Sequence, residues 1–210
     1  MLFRSNGVSR RAVIQRTLLP VMLDWFAQSP DPDAAILGFR KVSEALGATP
    51  WYLRLLRDES VTAERLARVL GTSKYATDLL LRAPEAVRLL ADDLAPRDRT
   101  ELVSEARAIA SRYSDPVEAV AGLRALRRRE LFRLACALVL DAAPADAVAR
   151  GISAVTDAVI EGGLVAIHQD GDPAFVVIAM GRYGGGELGF GSDADVMFCF
   201  DETEIGRAHV

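Results

Sequence analysis

The sequence predicts a mainly α protein: a long helical array that gives way, near its C-terminus, to two short strands around a glycine-dense loop. Three observations carry that expectation. Up to Ile167 the apolar residues recur at helical spacing, interrupted by short connections rich in Pro, Gly and Ser. Beyond Pro173 the pattern changes to two short apolar runs, Phe175–Met180 and Val196–Phe200, the first bounded by Pro173 and Gly181 and reading as a buried strand. Between the runs lie Gly181, Gly184, Gly185, Gly186, Gly189 and Gly191.

In chain order, Ser9 caps a first helix that runs to Ala27 with Pro20 as a kink. Ser29-Pro-Asp-Pro32 breaks it, and Pro32 or Asp33 opens a second helix that ends at Gly47, with Ile36, Leu37, Val42, Ala45 and Leu46 as its apolar face. Trp51, Leu53, Leu55 and Leu56 mark a short helix closed before Ser60. Helices follow near Val61–Leu70, Ser73–Arg82 and Pro84–Asp92, punctuated by Gly71 and Pro84, and longer ones near Arg97–Tyr113, Pro116–Asp141 and Pro144–Ile167. Such an array with short connections reads as a bundle, with no fixed-period repeat. Trp25, Phe39, Trp51 and Phe132 are expected core aromatics. Gln169-Asp-Gly-Asp-Pro173 is polar and turn-rich, a connector between helical and strand chemistry.

Bulk properties narrow the class. The 210 residues are 50% hydrophobic, enough for a substantial core, yet no apolar run approaches a membrane span and no signal peptide opens the chain. Cys136 and Cys199 sit in apolar surroundings without metal-like spacing, so they read as reduced core residues of a cytoplasmic protein. A net charge of −4 argues against a general nucleic-acid binder. Lys41 and Lys74 are the only lysines among 25 basic residues, an arginine bias that reads as GC-rich coding. Residues 1–5 and 204–210 resemble translated sequencing-adapter ends and are expected to be non-native.

The glycine loop carries the chemistry. It closes with Gly191-Ser192-Asp193-Ala194-Asp195 and leads straight into the second apolar run. On extended backbone, residues i and i+2 share a face, so Asp193 and Asp195 project together at the mouth of the loop. Two carboxylates side by side repel each other unless a cation sits between them. An all-oxygen pair suits Mg²⁺, which binds one or two carboxylates together with substrate phosphates. The glycines let backbone N–H groups approach phosphate oxygens, and Ser192 adds a hydroxyl donor. Asp-x-Asp alone is common, and glycine-rich loops alone are less specific still. A strand, Gly-Gly-Gly, Gly-Ser-Asp-x-Asp and a second strand in succession are far more specific, and describe metal-assisted transfer at a nucleotide phosphate.

The run Gly181-Arg-Tyr-Gly-Gly-Gly-Glu-Leu-Gly-Phe-Gly-Ser-Asp-Ala-Asp-Val196 resembles the signature of the polymerase-beta-like nucleotidyltransferases. Within that superfamily it most resembles the glutamine synthetase adenylyltransferases, also called glutamate-ammonia-ligase adenylyltransferases. These are large bifunctional enzymes with two nucleotidyltransferase domains separated by helical segments. One domain adds AMP to a tyrosine of glutamine synthetase, and the other removes it by phosphorolysis. The stretch from Val8 to Ile167 is similar to the helical segment before the second, adenylylating copy.

The resemblance implies a helical linker or regulatory array over residues 6–168, then the truncated start of an α+β catalytic domain over residues 174–203. It implies Asp193 and Asp195 as catalytic metal ligands and Mg²⁺ as cofactor with ATP as substrate. Gly181, Arg182, Gly185, Gly186, Gly191 and Ser192 would form the nucleotide-binding turn, with Arg182 in a phosphate or structural contact. Its implied partners are glutamine synthetase and a nitrogen-regulatory signalling protein, with no nucleic acid and no membrane. Ala194 is smaller than the aliphatic residue the family often has there. The superfamily's third carboxylate lies on a later strand that this chain does not reach, so the chain alone is expected to be inactive. The uridylyltransferase of nitrogen-regulatory protein carries a similarly glycine-rich motif, but its catalytic domain lies near its N-terminus, without a long preceding array.

Two further segments invite other readings. Thr62–Arg82 scans like a DNA-binding helix-turn-helix with Gly71 at the turn. Its reading helix would offer Lys74, Tyr75, Thr77 and Asp78, only one of them cationic, where a phosphate-tracking surface needs more. A packed helical hairpin is the simpler account of this segment, and a non-enzymatic helical scaffold or DNA-binding module with an idle terminal motif is the third reading of the chain. Arg124 and Arg127-Arg-Arg-Glu130 form the one dense charge cluster, read first as a solvated helix face. The alternative is contact with nucleotide phosphates or with an acidic loop of the following domain, and the family resemblance includes a similar Arg-Arg-Glu-Leu run here.

Overall fold

Helices start where Pro, Ser and Asp punctuate the chain. The computed structural model describes residues 10–46, 49–168 and 175–200. Its elements are α1 (Arg10–Ala27), α2 (Pro32–Leu46), α3 (Pro50–Asp58), α4 (Ser60–Thr72), α5 (Lys74–Arg82), a 3-10 helix (Pro84–Ala91), α6 (Arg99–Ala110), α7 (Pro116–Val139), α8 (Ala145–Ile167), β1 (Phe175–Ala179), α9 (Gly181–Gly184) and β2 (Val196–Phe200). Pro32, Pro50 and Pro116 take first helical positions, where a missing N–H costs nothing. The Asp31 carboxylate accepts the Ala34 N–H at 2.9 Å, the Ser73 hydroxyl accepts that of Ala76 at 3.1 Å, and Asp98 accepts that of Thr100 at 2.7 Å. The mainly α class with two strands at its C-terminal end is therefore present as expected. Ser9, Gly47 and both expected non-native ends lie outside the described residues.

By contacts the chain divides into two compact units, Met1–Leu94 with Ala135–Ala142, and Ala95–Leu134 with Ala143–Val210. In the first, α4 is the hub, packing against α1, α2, α3, α5 and the 3-10 helix. Its Ala63, Leu66, Ala67, Val69 and Leu70 are all buried, as are Met22, Phe26, Tyr52, Leu56, Leu80, Val87 and Leu90 around it. Arg65 donates to the Leu90 and Asp92 carbonyl oxygens at 2.8 and 3.2 Å, satisfying acceptors at the end of the 3-10 helix.

Several local expectations change for packing reasons. Gly71 does not end α4 but lies inside it, buried, with the helix running on to Thr72. A Cβ there would stand 2.3 Å from the Ser29 hydroxyl oxygen, so this glycine permits a close approach rather than a turn. Gly38 does the same against Leu70, at 3.1 Å. That close crossing rotates α2 so that it buries Ala35, Gly38, Val42 and Leu46, while Ile36 and Leu37, expected inside, are exposed. The helix expected over Pro84–Asp92 is wound as a 3-10 helix over Pro84–Ala91. Of the four expected core aromatics Phe132 is fully buried, while Trp51 is half-buried with the Arg88 guanidinium 3.9 Å over its ring. Thr62–Arg82 forms most of α4 and all of α5, and α5 packs on α2 and α4 through Ala76, Leu79 and Leu80.

In the second unit α6 and α8 lie along each other. A Cβ on Gly162 of α8 would sit 2.6 Å from Leu123 and 3.1 Å from the Ala106 carbonyl oxygen, so glycine sets the helix spacing. The expected solvated face of α7 is corrected here. Glu130 is only 2% exposed and is held by three arginines: Arg97 at 3.2 Å, Arg129 at 2.8 Å and Arg133 at 3.0 Å. Glu105 on α6 closes the network, with Arg97 at 2.7 Å and Arg129 at 2.9 Å. The cluster splits: Arg129 and Glu130 are internal ties, whereas Arg124 and Arg127 stay exposed.

The hairpin ends the described chain. β1 and β2 pair antiparallel from Phe175 opposite Phe200 to Ala179 opposite Val196. β1 was expected buried, but four of its five residues are exposed, as is Cys199, expected in the core. A two-stranded sheet has two faces, and no other described element except α9 packs closely on this one. Cys136 is buried as expected.

Candidate functional site

The glycine loop spans the sixteen residues from Met180 to Asp195 that join β1 to β2, and its conformation is dictated by where side chains cannot go. Strand pairing continues one step past β1, as the Met180 N–H donates to the Asp195 carbonyl oxygen at 2.9 Å. The chain then turns through Gly181 at φ +52°, in the left-handed region that favours glycine. One helical turn, α9, closes with Gly184 N–H on Met180 O at 2.8 Å and Gly185 N–H on Gly181 O at 3.1 Å. A Cβ on Gly184 would stand 2.6 Å from the Ala179 carbonyl oxygen, so this position too tolerates no side chain. Gly186 follows at φ +70°.

These contacts yield a stability test. Gly181→Ala and Gly184→Ala should each destabilise the hairpin by about 1–3 kcal/mol, through backbone strain in one and overpacking in the other. Gly163→Ala is the control: nothing lies within 4 Å of its added methyl, so it should stabilise α8 by about 0.5–1 kcal/mol. Amide exchange and thermal melting read both signs. Equal tolerance at 163, 181 and 184 would contradict the steric account.

The expected site residues fall into three groups. Asp195 is exposed, and its Oδ2 leans over Gly181, 3.1 Å from where a Cβ would be. Asp193 is exposed two residues earlier, in the loop before β2 begins. Neither carboxylate has an ion pair among the described residues. Gly191 and Ser192 form a tight turn: the Gly189 N–H donates to Ser192 Oγ at 3.0 Å and the Ser192 N–H to Gly189 O at 3.1 Å. The hydroxyl hydrogen of Ser192 is not used in that turn. Nothing lies within 4 Å of a Cβ on Gly191. Arg182 makes a structural contact, its Nε donating to the Glu187 carbonyl oxygen at 3.1 Å, and Glu187 N–H returns to Arg182 O at 2.8 Å. Gly185 and Gly186 sit inside the turn that this pair clamps.

No group of three or more His, Cys, Asp or Glu placed to hold a metal occurs among the described residues. The donor set that remains is a pair of exposed, cation-free carboxylates two residues apart. That fits a hard divalent ion that takes one or two protein carboxylates and completes its shell with phosphate and water oxygens.

The residues that fasten the loop were not foreseen. Tyr183, in the middle of α9, is 6% exposed, and its hydroxyl donates to Asp157 Oδ1 of α8 at 2.6 Å. Burial, then the Asp157 carboxylate, pushes its phenol well above the ordinary value. Leu188 is 2% exposed, and its N–H faces Ser153 Oγ at 3.5 Å. Asp157 is braced by Arg99 Nε at 2.5 Å, and Glu161 by Arg107 at 2.6 Å. A partial signal existed in the sequence: bulky Tyr183, Leu188 and Phe190 inside a glycine loop, and a Ser153/Asp157 pair one turn apart on an apolar helix.

Comparison with known proteins shows which family the chain resembles. The family model described as glutamate-ammonia ligase adenylyltransferase matches residues 63–208. A bifunctional glutamine synthetase adenylyltransferase/adenylyl-removing enzyme of Streptomyces coelicolor is 51% identical over 97% of this chain and 23% of its own length. Proteins of the same name from Leifsonia xyli subsp. xyli and Mycobacterium tuberculosis are 50% and 45% identical over 96% and 97% of this chain. The chain spans 23% of the first of these relatives and 21% of the second. On a family match over most of its length and half-identity to these relatives, the chain belongs to the glutamate-ammonia ligase adenylyltransferase family.

Proposed function

We propose that the protein carrying this chain transfers AMP from ATP to a tyrosine of glutamine synthetase, and that this chain supplies the helical segment and the opening of the adenylylating domain. The observation that carries the reading is the loop itself. A strand, a glycine turn that admits no side chain at Gly181 or Gly184, and two cation-free carboxylates follow in immediate succession, in a chain of this family.

Asp193 and Asp195 would hold Mg²⁺ together with the phosphate oxygens of ATP, and the bound ion supplies neutralisation of charge developing on the leaving phosphates. The tyrosine hydroxyl oxygen attacks the α-phosphorus in line and gives up its proton to water, the bond to the bridging oxygen breaks, and pyrophosphate departs. Ser192 has a hydroxyl hydrogen to donate to a phosphate oxygen. Arg182 keeps its terminal guanidinium nitrogens beyond the Nε that clamps the loop. Gly185 and Gly186 put no side chain in the way of the same ligand, although their N–H groups already donate within the turn, to Gly181 O at 3.1 Å and Tyr183 O at 3.0 Å. The longer protein would also remove the AMP, through a second domain, since the relatives' name calls them adenylyl-removing enzymes as well, and a nitrogen-regulatory signalling protein would set the direction. No helix among the described residues is long and apolar enough to cross a membrane, and the reading places the protein in the cytoplasm with its ATP and glutamine synthetase.

The test is AMP incorporation. Full-length protein, glutamine synthetase, ATP and MgCl₂ should yield a tyrosine carrying one AMP, with one pyrophosphate released per AMP added. Pyrophosphate release without AMP on glutamine synthetase would overturn the substrate assignment. The family match also weighs against a uridylyltransferase, and substituting UTP for ATP tests this directly.

A further inference from the structure

We propose that Tyr183 and Asp157 are positioning residues for the transfer reaction, fixing the glycine loop to α8 and thereby the place of the Asp195 carboxylate. This rests on the nucleotidyltransferase reading of the loop.

The geometry is a two-point attachment. Tyr183 and Leu188, five residues apart in the loop, are its only buried side chains. They meet Asp157 and Ser153, which lie four residues apart and so on one face of α8. Ser153 is held in turn by donating to Ala149 O at 3.1 Å. Asp157 Oδ2 is held by Arg99, whose Nη2 also lies 3.7 Å from Glu161. The oxygen that faces Tyr183 therefore has one orientation.

From Tyr183 the constraint runs a short way to the chemistry. Tyr183 is two residues beyond Gly181, within the single turn of α9. Gly181 is the residue over which Asp195 Oδ2 leans at 3.1 Å, and the adjoining Met180 N–H pins Asp195 O. A rotation of α9 thus moves the floor beneath Asp195. Phenylalanine would fill the same slot, so what the hydroxyl adds is direction: a charge-assisted bond that fixes the rotation of the turn. Neither residue touches the reacting atoms. In sequence α8 belongs to the helical array, but by these contacts it is the seat of the catalytic loop.

The test has two arms. In this chain, Tyr183→Phe and Asp157→Ala should accelerate amide exchange at Gly184–Leu188 while leaving α6 unchanged. In the full-length protein, each should lower kcat for AMP transfer by about 10–100-fold, the range typical of removing an outer-shell support of a metal site. The Mg²⁺ concentration for half-activation should rise, the KM for glutamine synthetase should stay within twofold, and the losses should persist well below the melting temperature. The double variant should be no worse than the more impaired single one, because both remove one bond. Transfer within twofold of wild type in Tyr183→Phe, or losses that multiply in the double variant, would overturn the proposal. If Asp157→Ala fails to accumulate folded, Tyr183→Phe with Asp157→Asn carries the same comparison. Asp195→Asn separates the two levels: if it keeps full transfer, the site reading fails and the positioning role with it. If it is inactive while Tyr183→Phe is normal, only the positioning role fails.

Discussion

Asp195→Asn in the full-length protein should reduce AMP transfer by on the order of 10³-fold and leave the melting temperature within about 2 °C. The rate estimate follows from the several kcal/mol that a bound cation contributes to a phosphoryl transition state, at about 1.4 kcal/mol per tenfold. The unchanged stability follows from exposure: the side chain contributes no buried area and no ion pair among the described residues. Its backbone carbonyl still accepts the Met180 N–H, which the substitution does not touch. Asp193→Asn should behave in the same way, since Asp193 too is exposed and has no ion pair among the described residues. The loss should appear mainly in kcat, with weaker Mg²⁺ activation, because asparagine keeps one neutral oxygen donor but not the charge. Measuring AMP incorporation and melting curves side by side decides the matter. Activity within a few-fold of wild type in both variants would sink the assignment of these carboxylates as metal ligands. A fall in melting temperature matching the fall in activity would make them structural residues.

The elements were legible where local chemistry decides them. Pro32, Pro84 and Pro116 open their helices at the expected places, and both strands flank the glycine loop as the change of period predicts. What the sequence hid is pairing across distance. Gly71 looks like punctuation because a lone glycine between two apolar helices usually is. Only the approach of Ser29 shows that it is there to be small. Ile36 and Leu37 fit a helical stripe, but the crossing at Gly38 and Leu70 turned a different stripe inward. The run Arg127-Arg-Arg-Glu130 looks solvated because its neutralising partners lie elsewhere. Arg97 is 33 positions away, and Glu105 is 24 positions from Arg129. The site divides along the same line. The loop that bears the candidate residues is a local pattern and could be read, whereas its anchor on Asp157 is 26 positions from Tyr183, and the sequence signals on either side do not say that they pair.

The second large effect should come from that buried network. Glu130→Ala is expected to cost about 3–5 kcal/mol, the usual consequence of removing one partner from a buried charge cluster. Glu130 Oε1 accepts from Arg97 and Arg129 and its Oε2 from Arg133, so one truncation strips three guanidinium groups at once. Arg133 is 13% exposed and cannot readily turn to water. Glu105 would remain to face Arg97 and Arg129. Glu130→Gln keeps the shape and one acceptor, and should fall between wild type and Ala. For a chain of this size the Ala effect amounts to a melting shift on the order of 10 °C. The transition should be followed through amide exchange in α6, α7 and α8, because two compact units need not melt together. Acid adds a second signature. Burial pushes the Glu105 carboxyl up, but the hydrogen bonds and charges of Arg97 and Arg129 outweigh it and hold the group below its ordinary value of 4.5. A depressed folded value means that its stabilisation is complete above that ordinary value and is lost as pH falls through the folded one. Wild type should therefore start to lose stability from this source only below about pH 4.5, whereas Glu130→Ala should already be weakened at neutral pH. In Glu130→Ala, Arg97 and Arg129 keep Glu105 as their close anion, so this variant should depend more steeply on keeping that carboxylate ionised. A cost under about 1 kcal/mol at pH 7, with an acid limb parallel to that of wild type, would show that Arg97, Arg129 and Arg133 reach solvent or other partners without Glu130.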